Sequence, residues 1–171
     1  MSEIRGGPEG ASAGPARLLG IDLGEKRIGL AVADRDGHQA RPLATILRAA
    51  SKAPADDAAT LATFVSEQAV VELVVGLPLD ANGDEGPMAV AAAAWARAVA
   101  KVLGLPVTLR DERLSSHLAE SRLGRMPRGR SGGAPSKTQR DRYREKVDRE
   151  AAAIILQDEL DVRRDSGRLT E

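Results

Sequence analysis

The hydrophobic pattern is clearest between residues 17 and 48, where short apolar segments are separated by tight turns. Three of them follow one another and are predicted as strands, at residues 17–24, 27–34 and 39–48. Turns that contain glycine, at 24–26 and 36–37, join them. Links this short connect strands that run in opposite directions, so the sequence predicts a three-stranded antiparallel meander.

Beyond residue 50 the pattern alternates between helical and extended segments. Apolar residues at helical spacing predict helices at 56–68, 87–103, 115–123 and 139–162. Continuously apolar runs predict strands at 70–77 and 105–110. Pro87 and Gly104 are the expected start and stop signals of the second helix. The sequence therefore predicts an α/β fold, with a five-stranded mixed sheet (the meander plus two parallel strands) flanked by helices.

A single domain should span residues 17–162, with polar segments around it. Residues 1–16 are mainly Gly, Pro, Ala and Ser, and predict a disordered N-terminal tail. Residues 126–138 are rich in Gly, Pro, Ser and Arg and predict a flexible basic loop. Residues 163–171 are predicted as a C-terminal tail.

The composition excludes several classes of protein. Without cysteine there is no disulfide scaffold, cysteine zinc site or thiol catalysis. Aromatic residues make up only 2% of the chain, which argues against nucleic-acid binding by base stacking. No apolar run approaches the roughly 20 residues of a membrane helix, and the N-terminus lacks the apolar core of a secretory signal. We therefore expect a soluble, cytoplasmic protein without membrane contact.

Charge is unevenly distributed along the chain, although the net charge is zero. Residues 122–149 contain ten basic and three acidic residues, a local net charge of +7. Such a segment favours a face that binds a polyanion. A solvated loop and helix surface would explain the same pattern equally well.

Asp22 lies within an otherwise apolar predicted strand, two residues before a glycine. An ionised carboxylate in such surroundings costs free energy unless it is paired or bound to a metal. Strand alternation puts it on the same face as Gly20 and Gly24, which leave room for an approaching group. The alternative is an acid that caps the following turn.

Glu112 follows the last predicted strand, where sites gather in open α/β sheets. The alternative is that Asp111 caps the next helix while Glu112 pairs with Arg113. Taken alone, the two explanations are equally good.

Asp148 precedes Ala151, Ala152 and Ile155 at helical spacing, so it points along an apolar stripe of the final helix. Alanines on this stripe allow close approach to the sheet. The alternative is a salt bridge with Arg144, four residues earlier.

Three such carboxylates from separate elements, with only two histidines in the chain, favour oxygen ligation of Mg²⁺ or Mn²⁺ over zinc. Two such ions would suit phosphodiester hydrolysis. The sequence thus predicts that positions 22, 112 and 148 meet in space.

Four ordered motifs carry a resemblance to a known family. They are G-I-D-L-G-x-K-R-I-G-L-A-V-A-D, V-V-G-L-P-L-x-x-x-G-x-E-G, D-E-R-L-S-S and V-D-x-x-A-A-x-x-I-L-Q-x-x-L-D, at residues 20–34, 74–86, 111–116 and 147–161. In this order they closely resemble the bacterial YqgF/RuvX family, described both as Holliday junction resolvases and as pre-16S ribosomal RNA nucleases. The resemblance spans residues 17–161.

The resemblance implies a ribonuclease-H-like fold and a metal-dependent endonuclease that cleaves RNA or branched DNA. We expect it to use two metal ions. By position, Asp22, Glu112 and Asp148 match the family's catalytic acids. Many nucleases of this fold carry an acid directly after the fourth strand, whereas here the acids come later in the loop; among them, Glu85 is an additional ligand candidate.

Basic residues near the acids and in the basic loop are predicted to contact substrate phosphates: Lys26, Arg27, Arg113, Arg128, Arg130, Lys137 and Arg140. For Arg113, structural pairing with Asp111 is the stronger alternative.

Between the two substrates, processing of the 5′ end of pre-16S ribosomal RNA stands slightly ahead of resolution of branched DNA. Junction resolution needs paired cuts and favours a homodimer, whereas RNA trimming needs only one site. Two other functions stay open. One is a non-catalytic module that binds nucleic acid or the ribosome; the other, which we consider weaker, is an actin-like nucleotide phosphate binder, since that class needs two lobes.

Overall fold

The computed structural model describes residues 17–168, so the predicted tail at 1–16 and the last three residues lie outside the described part of the chain. The elements are β1 (Arg17–Leu23), β2 (Arg27–Ala33), β3 (Ala40–Leu47), α1 (Pro54–Glu67), β4 (Val70–Leu77), α2 (Pro87–Leu103), β5 (Val107–Asp111), α3 (Ser115–Leu123) and α4 (Lys137–Arg168).

The five strands form one sheet in the order β3-β2-β1-β4-β5. The first three strands pair antiparallel, while β4 runs parallel to both β1 and β5. This is the predicted meander joined to two parallel strands. The five-stranded mixed sheet flanked by helices, which the ribonuclease-H-like fold requires, is confirmed.

The two faces of the sheet pack against different helices. Leu19 and Ile21 of β1 belong to a core that includes residues of α1 and α2, such as Leu61 and Val99. The opposite face packs against alanines and aliphatic residues of α4. Strand alternation therefore sends Gly20 and Asp22 toward α4.

Glycine brings α4 unusually close to the strands. A Cβ atom at Gly20 would lie 2.7 Å from Cβ of Leu156 and 2.8 Å from the carbonyl oxygen of Ala152. At Gly29 of β2, an added Cβ would overlap the carbonyl group of Asp148. The backbone of α4 thus lies directly on β1 and β2, which fixes where its side chains enter the sheet.

The final helix is longer than the sequence predicted. It begins at Lys137 rather than at 139, and it continues to Arg168 rather than ending at 162. The C-terminal tail predicted from residue 163 is therefore wrong as far as 168, and residues 137–138 belong to the helix rather than to the loop. Arg163 explains the extension, because its Nε lies 2.6 Å from Oε1 of Glu159 and its Nη1 donates to Glu72 of β4 at 3.0 Å. Within residues 17–168, no helix is long and apolar enough to cross a membrane.

Candidate active site

Asp22 lies on the central strand of the sheet, between two glycines. Gly29 is its partner on β2. Ile21 pairs with Val75 on β4, so the next residue of that strand, Gly76, lies on the other side of Asp22. Because neither neighbour has a side chain, the space above Asp22 is left to groups from α4 and from the end of β5.

Glu112 fills part of that space. Its backbone N–H donates to the carbonyl oxygen of Leu77 at 3.1 Å, which extends the β4–β5 pairing by one residue. Its own carbonyl oxygen accepts the N–H and the hydroxyl of Ser115 at the start of α3, at 2.9 and 3.0 Å. A Cβ at Gly76 would overlap the Glu112 carboxylate. The glycine therefore makes room for this side chain to reach Asp22.

The two carboxyl groups share a site in which both are hard to ionise. Burial, the charge of Asp22 and the hydrogen bond with it together raise the pKa of Glu112 to about 8. The pKa of Asp22 is raised to about 6, because burial and the charge of Asp148 outweigh the lowering by the hydrogen bond with Glu112. At neutral pH, Glu112 is thus the protonated partner of an ionised Asp22.

One oxygen of this pair is not satisfied. Oε2 of Glu112 is the one buried side-chain nitrogen or oxygen atom in residues 17–168 that lacks a hydrogen-bond partner. Leaving a buried polar atom without a partner costs free energy, so such an atom in a folded protein calls for an explanation, such as a bound ion.

Asp148 approaches the same region from α4 but turns its carboxylate elsewhere. Its main chain lies against Gly29, next to Asp22, and its charge contributes to the raised pKa of Asp22. Its Oδ2 accepts a hydrogen bond from Nε of Arg27 at 2.6 Å. The ion pair that the sequence analysis weighed, with Arg144, is not formed; Arg27 of β2 takes that place.

The acids do not form a ready-made cation cage. Within the described residues, no three His, Cys, Asp or Glu side chains are arranged to hold a metal ion. Asp22 and Glu112 are together, whereas Asp148 is close but paired with Arg27. The donor set nevertheless fits Mg²⁺ or Mn²⁺, because carboxylate oxygens are their preferred ligands and Glu112 Oε2 lacks a partner. Arg27 occupies Oδ2 of Asp148, so as a third ligand Asp148 would offer Oδ1 or give up that hydrogen bond.

Two grooves flank the acids. A cleft of about 930 Å³ includes Glu112 and is walled by apolar residues of α3 and α4, among them Leu118 and Ile155. A smaller pocket of about 260 Å³ includes Asp148 together with Lys26, Arg27 and Arg144. The first groove combines these apolar side chains with charged ones such as Arg110 and Asp158. The second holds three cations, which suit a phosphate, beside Glu25 and Asp148.

Three of the predicted substrate contacts are arginines that already bond to the protein itself, and one of them is Arg27, which pairs with Asp148. Arg113 donates from Nε to Oδ2 of Asp111 at 2.7 Å and from Nη1 to the carbonyl oxygen of Ala81 at 3.4 Å. Arg140 donates to the carbonyl oxygen of Pro135 at 2.8 Å and so braces the basic loop. The pairing of Arg113 with Asp111, the stronger alternative from the sequence, is the arrangement found.

The other predicted contacts are exposed, whereas Arg27 is partly buried. Within residues 17–168, these exposed side chains make no hydrogen bond or ion pair; they belong to Lys26, Arg128, Arg130 and Lys137. Glu85, the additional ligand candidate, is also exposed.

The sequence analysis missed two buried acids. Glu159 of α4 is bonded to Arg163, and Asp57 of α1 is bonded to Arg48 and Trp95. Asp57 is four residues before Leu61 and thus on the buried stripe of its helix. The same argument that selected Asp148 could have found it.

The family model and the relatives of similar sequence agree on one family. The family model described as "RuvX: Holliday junction resolvase" matches residues 16–162. A protein of Anaeromyxobacter dehalogenans (strain 2CP-C) named "Putative pre-16S rRNA nuclease" is 46% identical over 86% of this chain and 98% of its own length. A protein of the same name from Chloroflexus aggregans is 42% identical over 86% of this chain and 94% of its own. Among solved structures, Thermus thermophilus RuvC is 17% identical with a TM-score of 0.48, over 86% of this chain and 95% of that one.

Proposed function

The chain belongs to the RuvX family of Holliday junction resolvases, and on this premise we propose that it is a divalent-metal-dependent endonuclease that hydrolyses phosphodiester bonds. Asp22, Glu112 and Asp148 are the proposed catalytic residues and metal ligands. The proposal goes beyond the family's name by assigning these three residues and the metal.

The observation that carries the proposal is the unsatisfied carboxyl pair on the α4 face of the sheet. Asp22 and Glu112 hold pKa values of about 6 and about 8, so they resist ionisation together. A divalent cation would favour the ionised form of both and give Glu112 Oε2 the partner that it lacks. Holding two largely buried acids side by side is otherwise a net cost to stability.

The chain's own residues divide the work. Asp22 and Glu112 would hold the cations, and Asp148 would complete the set of ligands. Bound Mg²⁺ or Mn²⁺, as a pair of ions, supplies an activated water and stabilises the leaving oxygen. Arg27, once released from Asp148, and Lys26 beside it line the small basic pocket and bind a substrate phosphate there.

For the substrate we propose precursor 16S ribosomal RNA in the cytoplasm, with branched DNA as the second candidate. The curated relatives named above carry the first activity in their names, and the family model carries the second. The exposed basic residues, Arg128, Arg130 and Lys137, suit backbone phosphates of either nucleic acid. A homodimer would be needed only for paired cuts in a junction.

The test is a side-by-side cleavage assay on single-stranded RNA and a four-way DNA junction, with Mg²⁺ or Mn²⁺. We expect wild-type protein to cut at least one of them, and Asp22→Asn and Asp148→Asn to lose about a thousandfold in rate while staying folded. Asp141→Asn is the matched control, because Asp141 lies about two turns earlier on α4. It should cut at nearly the wild-type rate.

Three results would contradict the proposal. Undiminished cleavage by Asp22→Asn would refute the assignment of the site. Binding of RNA or junction DNA without cutting, whichever divalent ion is added, would favour the non-catalytic module. Stoichiometric ATP binding without nuclease activity would favour the actin-like alternative.

A further inference from the structure

A second buried acid lies on the other face of the sheet, and the proposed reaction does not use it. Asp57 of α1 is only 1% exposed. Its Oδ1 accepts the backbone N–H of Ala49 at 3.1 Å. Its Oδ2 accepts Nε of Arg48 at 3.1 Å and Nε1 of Trp95 at 2.9 Å. Both oxygens are therefore satisfied, and the guanidinium compensates the buried charge.

Arg48 connects this acid to the turn between β1 and β2. Its backbone N–H donates to the carbonyl oxygen of Lys26 at 2.9 Å. Its guanidinium reaches the carbonyl oxygens of Gly24 and Lys52, at 3.5 and 3.2 Å. The guanidinium also lies 6.0 Å from the centre of the Trp95 ring, within the range of a cation–π contact. Arg48 thus bonds to both ends of the β1–β2 turn, at Gly24 and at Lys26.

The same turn carries the cations of the small basic pocket. Lys26 is exposed in the turn, and Arg27 begins β2 and pairs with Asp148. Two backbone bonds hold the turn, from Gly24 N–H to the Arg27 carbonyl at 2.8 Å and from Arg48 N–H to the Lys26 carbonyl at 2.9 Å, and the second of them comes from the cluster's own arginine. Any shift of the turn relative to β1 would move Lys26 and Arg27 away from the acids.

We infer that Arg48, Asp57 and Trp95 form a positioning cluster, which holds the β1–β2 turn so that Lys26 and Arg27 meet a nucleic-acid phosphate beside the acidic site. Asp57 fixes Arg48, and Arg48 fixes the turn. None of the three touches the substrate. Asp22 is anchored separately by its neighbours on β2 and β4. The cluster therefore governs substrate binding more than the rate of the bound complex. This inference rests on the proposed function.

The test separates binding from cleavage. Dissociation constants for a labelled single-stranded RNA are measured in EDTA, and single-turnover rates are measured with Mn²⁺ at saturating RNA. Asp57→Asn and Arg48→Met should weaken RNA binding about tenfold, the size of effect that loss of a hydrogen bond to a charged group produces. The saturated rate should change by less than about threefold. Arg48→Lys should recover part of the binding, because it keeps the charge beside Asp57.

Arg163→Met is the matched control. Arg163 bonds to Glu72 and Glu159 at another place on the sheet, so this variant loses ion pairs without touching the turn. It should lower the melting temperature yet bind RNA like wild type. Equal loss of RNA affinity in Arg163→Met and Asp57→Asn would overturn the inference, since general destabilisation would then explain both.

The double variant Asp57→Asn/Lys26→Gln adds a test of coupling. If the cluster acts through the turn, the combined loss of affinity is smaller than the product of the two single losses. A combined loss of affinity equal to the product of the two single losses would overturn the inference.

A further readout needs no variant. Trp95 is the single tryptophan of the chain and a member of the cluster, so its fluorescence reports on the cluster directly. Its emission should change as RNA saturates the metal-free protein, and unchanged emission at saturation would count against the inference. Wild-type protein that cuts RNA while Asp57→Asn binds normally would overturn this inference alone. Wild-type protein that neither binds nor cuts RNA or junction DNA would overturn the proposed function, and this inference with it.

Discussion

Asp57 on one face of the sheet and Glu112 on the other each place a carboxylate oxygen in the protein interior, and only Asp57 has partners for both of its oxygens. On the α1/α2 side, Asp57 accepts hydrogen bonds on both oxygens, including those from Arg48 and Trp95. On the α4 side, Glu112 faces another acid, Asp22, and its Oε2 has no partner within residues 17–168. The difference separates a buried acid that supports structure from one that is available to a ligand. Burial alone does not distinguish them; the supply of donors does.

The two faces of the sheet also differ in how tightly they are packed. The α1/α2 face is filled by large side chains such as Leu19, Ile21 and Trp95. The α4 face is closed by glycines against helix backbone, at Gly20 and Gly29. Large side chains can adjust to a change of volume, whereas backbone in direct contact cannot. The α4 face should therefore respond more sharply to small substitutions.

The largest effect should come from Gly29→Ala. The added methyl group would overlap the carbonyl group of Asp148, so α4 must move away from β2 and take Asp148 with it. We expect a loss of unfolding free energy of about 2–3 kcal/mol, and a strong loss of cleavage. Chemical denaturation and the RNA cleavage assay measure the two effects.

Gly86→Ala is the control for that prediction. Gly86 precedes α2 with a φ of −82°, which alanine adopts readily, and no atom lies within 4 Å of the added Cβ. This variant should be as stable as wild type. If Gly29→Ala were equally well tolerated, the close approach of α4 to β2 would be wrong.

Much of the fold followed from local signals in the sequence. The bounds of β4, α2 and α3 agree with the predicted ranges, because apolar runs and residues such as Pro87 and Gly104 act within one element. Gly104 adopts the left-handed conformation, with a φ of 67°, that ends a helix. The end of α4 was missed because it depends on Arg163 and Glu72, which are 91 positions apart.

The candidate site divides in the same way. Asp22 and Glu112 could be selected because a carboxylate in or beside an apolar strand is costly, which is a property of the local sequence. The partner of Asp148 could not be derived, because Arg27 lies 121 positions away and competes with a nearer arginine. For the same reason Arg48 gave no sign that it bonds to the β1–β2 turn. The catalytic roles of the acids stay a prediction.

Glu112→Gln should give the next largest effect, and it tests the unsatisfied acid directly. The folded-state pKa of Glu112, about 8, lies above its ordinary value of 4.5. The folded state therefore binds the extra proton, and this contribution to stability is lost as the pH rises through about 8. Gln cannot ionise and can donate to Asp22. Metal-free Glu112→Gln should thus melt about 3–6 °C higher than wild type at about pH 8, with little difference near pH 5.

Two comparisons sharpen that result. Mn²⁺ should raise the melting temperature of wild type more at higher pH, because the cation replaces the proton of Glu112. It should raise that of Glu112→Gln much less. If the melting temperatures of wild type and Glu112→Gln differed by the same amount at every pH, Glu112 would have a hydrogen-bond partner other than Asp22. The contrast with Asp57 would then fail.

The smallest effect should come from replacing one exposed arginine on each side of the sheet and measuring RNA binding. Arg130 is exposed in the basic loop before α4, and Arg97 is exposed on α2. If nucleic acid binds on the α4 side, Arg130→Gln should weaken RNA binding about threefold and reduce the slope of log affinity against log salt by about 0.7, the value for one phosphate contact on a single strand. Arg97→Gln has the same charge change and should alter neither quantity, since α2 covers the opposite face. Fluorescence anisotropy over a range of salt concentrations measures both. Equal losses from the two substitutions would mean that RNA responds only to the overall charge of the protein, and the distinction between a structural and a functional face would then not extend to substrate binding.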